Sequence, residues 1–176
     1  MKKLMIALMT VAVTGSAVFA NNGGKDGDAE TIVGVAAGNK DFSTLVAAVK
    51  AADLVGTLSS EGPFTVFAPT NAAFDKLPKG TVASLLEPEA KDKLTAILTY
   101  HVVAGAFDAA AVVKAIKENK GKFSVKTVQG GTLTASLKGK NVILTDEAGN
   151  TSTVVITDVK ASNGIIHAID SVVMPK

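Results

Sequence analysis

Thr65-Val66-Phe67-Ala68-Pro69-Thr70-Asn71-Ala72-Ala73-Phe74 joins a β-type run to the start of a helix. The β-branched and aromatic residues, with Phe64 before them, favour an extended strand. Pro69 stops that strand, because its ring nitrogen has no hydrogen to give to a sheet ladder. Thr70 or Asn71 can then cap a short helix carrying Phe74 and Leu77, which Pro78 and Gly80 end. Phe67 and Phe74 are expected to bury across this junction.

Working outward, the chain before and just after this stretch reads as helical. Asp41 can cap a helix whose apolar positions Phe42, Leu45, Val46, Val49 and Leu54 recur near the 3.6-residue period. Gly62-Pro63 breaks the chain ahead of Phe64. Thr81 opens another helix with Val82, Leu85 and Leu86, and Pro88 suits the first turn of one leading to Leu94, Ile97 and Leu98. Asp108 caps a segment with Val112, Val113 and Ile116, closed by Asn119 and Gly121. Beyond it the period changes. Phe123, Val125 and Val128 precede a turn at Gly130-Gly131, and Leu133, Ala135 and Leu137 alternate after it. Val142 to Leu144, Thr153 to Ile156, and Ile165 to Val173 follow as short strands between Gly139 and Ala148-Gly149-Asn150 turns. Helices first and hairpins later predict an α+β domain with a largely antiparallel sheet.

The amino terminus reads differently. Met1-Lys2-Lys3 precedes an apolar run from Leu4 to Ala20, which predicts a secretory signal peptide over residues 1–20, cut after Ala20. Residues 21–29 carry Gly23, Gly24 and Gly27 and no large apolar side chain, so a flexible leader is expected there. Residues 30–176 are expected to form one domain, with no membrane span once the signal is removed.

Composition removes several function classes. At 47% apolar and 19% charged the chain is too hydrophobic for wholesale disorder. The lack of cysteine excludes disulfides, thiolate metal sites and a cysteine nucleophile. All 18 basic residues are lysines, so the guanidinium fork that reads phosphates and bases is missing. Without Lys2 and Lys3 the chain carries 16 lysines against 16 acids, leaving no electrostatic drive toward nucleic acid.

Catalytic templates fail as well. The sequence holds no phosphate-binding glycine loop, dinucleotide fingerprint, HExxH or nucleophile elbow. Asp26-Gly27-Asp28 lacks the length and terminal Glu of a calcium loop. His167 and Asp170 lie three apart in a predicted strand and so point to opposite faces, against a shared metal. Ser171, His167 and Asp170 are too crowded on one strand for a triad. No catalytic residue, metal or cofactor is expected. His101, beside Tyr100, is expected as a half-buried ring bonded to backbone groups, with an exposed Tyr-His recognition edge as the alternative.

Three segments carry a family likeness. Thr65 to Phe74 resembles the first signature of fasciclin-type (FAS1) domains, and Leu98-Thr99-Tyr100-His101-Val102-Val103-Ala104-Gly105 resembles the family's tyrosine–histidine segment. Asn163-Gly164-Ile165-Ile166-His167-Ala168-Ile169-Asp170-Ser171-Val172-Val173-Met174-Pro175 resembles its second signature. They stand in family order, and Thr31 to Ala52 matches the usual opening helix. In these motifs Phe67, Pro69, Thr70, Asn71, Phe74, Asn163, Gly164, His167 and Asp170 read as fold determinants. Asn163-Gly164 is expected to make a tight turn because both residues tolerate positive φ.

The resemblance implies a β-wedge of two mostly antiparallel sheets with short helices alongside. It also implies a secreted or periplasmic, non-enzymatic module for cell adhesion that binds a surface or matrix protein or a glycan. Tyr100 and His101, with Asp158 and Val159, are the partner-binding positions it implies, although Val159 stands where the family often has Ile. A periplasmic carrier of a small ligand or carbohydrate is the alternative, and it requires a concave pocket with convergent polar groups.

Overall fold

In the computed structural model, which describes residues 30–176, the run at Thr65 is strand β1, Phe64–Pro69. The expected signal peptide over 1–20 and leader over 21–29 lie outside the described residues. From Thr65 through Pro69 every residue of β1 is buried, with no alternation. Such a strand is covered on both faces. Val66 and Ala68 enter one apolar cluster, while Phe67 enters a second.

Helices cover the first face. They are α1 (Ile32–Gly38), α2 (Ser43–Ala51), α3 (Val55–Leu58), α4 (Asn71–Asp75), α5 (Thr81–Leu86) and α6 (Lys91–Tyr100). Thr70 caps α4 as expected, its hydroxyl accepting from the Ala73 N–H at 3.3 Å. The expected Asp41 cap is overturned. Asn39 caps a 3-10 turn, Lys40–Phe42, by accepting from the Asp41 N–H, so Asp41 sits inside the turn it was expected to open. One helix over Thr31 to Ala52 becomes two, with a bend of 108° at Asn39. That bend turns Ile32, Ala36, Leu45 and Val49 into the same cluster. No single helix among the described residues is long and apolar enough to cross a membrane.

The remaining elements are β2 (Val102–Ala104), α7 (Ala109–Glu118), β3 (Lys122–Lys126), β4 (Thr132–Lys138), β5 (Asn141–Thr145), β6 (Thr151–Ala161) and β7 (Gly164–Ile169). Asp108 caps α7, its carboxylate accepting from the Ala111 N–H at 2.6 Å. The seven strands lie in the order β2-β1-β7-β6-β5-β4-β3. Neighbours are antiparallel except β1 and β7, which run parallel from Phe64↔Gly164 to Pro69↔Ile169. The two sheets expected from the resemblance are joined: β6 pairs with β5 through Thr151 to Thr153, then crosses to pair with β7. A bridge between Val103 and Thr127 links the far ends of the order, so the whole is nearly a barrel.

Two expectations hold only in part: the phenylalanines bury, and a tight turn at Ser162-Asn163 joins β6 to β7. Phe67 and Phe74 are both buried, but on opposite sides of β1, in the second and first clusters respectively. Neither Asn163 nor Gly164 has positive φ. Gly164 is needed because a Cβ there would run into the Phe64 carbonyl oxygen. Asn163 works through its side chain, which accepts from the Ile32 N–H at 2.9 Å and donates to the Leu58 and Ser60 carbonyls at 2.8 and 2.9 Å. It ties α1 and α3 to the start of β7. Asn71 plays the matching part at α4: its carbonyl accepts from the Thr44 N–H and its amide donates to the Lys40 carbonyl.

Candidate partner-binding surface

The tyrosine and histidine at the end of α6 face inward. Tyr100 is fully buried and His101 is 1% exposed, so the exposed recognition edge is not formed by these side chains. The Tyr100 hydroxyl donates to the Thr132 carbonyl at 2.8 Å and accepts from the Glu147 N–H at 3.2 Å. Its ring lies against Gly131, where a Cβ would come within 2.5 Å of Cε2. One phenol thus ties α6 to β4 and to the β5–β6 turn. Burial raises its pKa, against the opposing hydrogen bond from Glu147.

His101 joins the same helix to the carboxy-terminal tail. Nδ1 donates to the Ile97 carbonyl at 2.7 Å, and Nε2 accepts from the Val173 N–H at 3.2 Å. A ring that must accept at Nε2 is neutral, and burial pulls its pKa down to about 4. His167 is also buried, stacked on Phe67 at 5.7 Å between ring centroids. Its Nε2 donates to the Phe107 carbonyl at 2.7 Å and its Nδ1 accepts from the Asp158 N–H at 3.3 Å. All four imidazole nitrogens are therefore occupied by backbone groups, and among the described residues no carboxylate bonds to either ring as an acid–base partner. Among the described residues no three His, Cys, Asp or Glu side chains gather as a metal ligand set.

Asp170 is a latch at the end of β7. Its carboxylate accepts from the Thr153 N–H at 2.8 Å and pairs with Lys76 at 3.2 Å. Desolvation pulls its pKa up, but the Thr153 N–H, Lys76 and the Ser171 hydroxyl outweigh that and hold it below the usual carboxylate range. Asp170 and His167 share no partner, as their opposite strand faces predict.

Asp158 and Val159 sit elsewhere, on the irregular part of β6. Asp158 is exposed, with φ of 58°, and its carboxylate accepts from the Ala109 N–H at 2.7 Å. Val159 is half-buried against the helical cluster. The structure does not bring this pair to Tyr100 and His101, with which it shares no hydrogen-bond partner. Two residues that sequence reading missed lie beside it: Val155 and Ile156, 53% and 41% exposed. Neighbours in a regular strand point to opposite faces. Here register shifts between Val154 and Ile156, and between Ile156 and Val159, turn both outward. The only hint in the sequence was the unbroken run Thr153-Val154-Val155-Ile156, which fits a strand covered on both faces as well as it fits this one.

Concave sites are modest. An apolar cavity between α1, α2 and the sheet, lined by Ile32, Leu45, Leu98 and His101 among others, has a volume of about 20 Å³. That is room for about one water, and the one polar ring in its wall has already spent both nitrogens. An open cleft of about 640 Å³ runs past Thr31, Ser59, Ser60, Glu61 and Ser162.

Comparison with known proteins agrees with this geometry. Protein sll1483 of Synechocystis sp. is 57% identical over 147 residues, which cover 84% of this chain and 74% of that protein. The cell surface glycolipoprotein MPB83 of Mycobacterium bovis is 36% identical over 151 residues, 83% of this chain and 61% of that protein. A solved FAS1 domain pair from the insect cell adhesion molecule fasciclin I shares the fold, with a TM-score of 0.74 at 18% identity over 84% of this chain. This chain spans about half, 51%, of that one. The Fasciclin domain model matches residues 40–175, from the 3-10 turn before α2 to the tail held by His101, and the chain belongs to the Fasciclin domain family.

Proposed function

We propose that the protein is a non-enzymatic, extracytoplasmic adhesion-type module that binds a cell-surface or matrix partner through the irregular stretch of β6. What carries this reading is the outward pair Val155 and Ile156, beside exposed Thr157 and Asp158. Beyond Thr153 the edge of β6 that faced β5 has no strand partner among the described residues. A small apolar centre with a polar, charged rim is the anatomy of a protein contact, in which a few side chains carry most of the affinity. Family membership supports adhesion, and the amino-terminal signal pattern and the surface location named for MPB83 support export. The occupied imidazoles support the absence of catalysis.

The test immobilises the purified protein and scores saturable retention of proteins from the producing organism's envelope and matrix. A Val155→Ser/Ile156→Ser variant that melts like wild type is expected to lose that retention. Undiminished retention moves the contact elsewhere, and no retention by wild type overturns the binding reading. The carrier alternative is favoured only by the hydroxyl-lined open cleft at Ser59 and Ser60. A rise in melting temperature with an added small sugar would support it, since a ligand that binds only the native state stabilises that state.

A further inference from the structure

The charge of this nearly neutral chain is unevenly placed. Between Asn119 and Thr157 stand five lysines, at 120, 122, 126, 138 and 140, against two acids, Asp146 and Glu147. Both acids are engaged: buried Asp146 holds Asn150 and the Met174 N–H, and Glu147 accepts from the Thr132 N–H. From Glu30 to Glu118 the balance reverses, with eight lysines and ten acids.

Strand register collects three of these lysines, Lys122, Lys126 and Lys138, on one surface. Side chains alternate along β3, so Phe123 and Val125 pack inward while Lys122, Ser124 and Lys126 point out. Pairing carries that outward set across the sheet: Ser124 faces Thr134, Thr134 faces Thr145, and Thr145 faces Thr151. The result is a row of hydroxyls crossing four strands at the ~4.8 Å strand spacing. Lys122 and Lys126 stand on either side of its β3 end and Lys138 stands at the β4–β5 hairpin, while no carboxylate projects from this face of β3, β4 or β5. Lysines on β3 also guard a sheet edge, but Lys138 belongs to the interior strand β4 and Lys140 to the β4–β5 turn.

We infer that the outer face of β3 to β6 binds an acidic polysaccharide. Ammonium groups meet its carboxylates or sulfates, and the row of Ser and Thr hydroxyls bonds to its ring hydroxyls. This rests on the extracytoplasmic binding reading above but uses β3 to β5 and the start of β6 rather than the irregular stretch at Val155 and Ile156. The chemistry favours a glycan over the other polyanions. Without arginine the face has no bidentate grip on phosphate, and half-buried Ile143 is the one apolar side chain that β3, β4 and β5 turn toward it.

The experiment measures retention of the purified protein on immobilised alginate, a polyuronate, and on dextran sulfate, with neutral dextran as control. Anionic phospholipid vesicles and duplex DNA run beside them. Salt-sensitive retention on alginate or dextran sulfate is expected, and which of the two binds separates carboxylate from sulfate recognition. A K122E/K126E/K138E variant should lose about tenfold or more. A K50E/K79E/K93E variant, with the same change in net charge on the helical side, should keep wild-type retention. Equal loss in both variants, salt-independent binding, or tighter binding to vesicles or DNA overturns the inference. Retention of matrix proteins with none of either glycan overturns this face alone. Retention of neither overturns the module reading with it.

Discussion

Tyr100-His101 and Asp158-Val159 carry the same expectation from sequence and have opposite fates in the fold. The first pair ends a helix whose next residue enters a sheet, and every side-chain polar atom it owns is spent on backbone, at Ile97 one turn back and at distant Thr132, Glu147 and Val173. The second pair sits where a strand loses its register, so Asp158 caps a neighbouring helix from outside and remains exposed. A motif that identifies a family can thus be a staple of the core, while the surface available to a partner arises where regular pairing fails.

The comparison is open to a graded set of perturbations. His101→Ala should cost the most, about 3 kcal/mol, since it opens a cavity and orphans the Val173 N–H. A melting temperature equal to wild type would make His101 dispensable to the core. Titration of the same ring comes next. Its folded pKa, about 4, lies below the ordinary value near 6.5, so the unfolded chain takes up the proton first. Stability from this group is complete above about pH 6.5 and is lost as pH falls to about 4, by about 3 kcal/mol. Denaturant melts from pH 7 to 5 should show that decline, and His101→Gln should flatten it. An unchanged slope in the variant would assign the decline to other groups.

Smaller changes sharpen the contrast. Tyr100→Phe keeps the ring against Gly131 but removes both hydroxyl bonds, and should cost about 1–2 kcal/mol in denaturant melts. Asp158→Asn should stay within about 0.5 kcal/mol, because Asn tolerates the left-handed backbone and its carbonyl can still cap Ala109. Matrix-protein retention should nevertheless fall as the rim loses its charge. If Asp158→Asn destabilised the fold as much as Tyr100→Phe, the two pairs would not differ in kind.

What could be read from the sequence was local. Pro69 followed by Thr70, and Asp108 before Val112, are encoded within a few residues, and both caps stand as expected. Asn39 displaced Asp41 because either residue type can cap, and only the bend that brings Ile32 and Leu45 together decides between them. The parallel pairing of β1 with β7 joins residues a hundred positions apart, beyond the reach of periodicity. Burial of Tyr100 depends in the same way on Gly131 and Thr132, and exposure of Ile156 on bulges that no pattern of apolar residues announces. The glycine at 164 was read correctly as necessary but for the wrong reason, since a neighbouring strand's carbonyl was not visible from sequence.

The order of strands also dictates how the chain can mature. β7 is the last of the described strands in chain order, yet it lies between β1 and β6 and holds α1 and α3 through Asn163. Until it arrives, β1 and β6 each present an open edge, and the first hundred residues have helices with no finished wall to rest on. Long-range pairing of this kind slows folding compared with a fold built on local contacts. A nascent chain therefore cannot close this sheet until Gly164–Ile169 has been made and has left the ribosome.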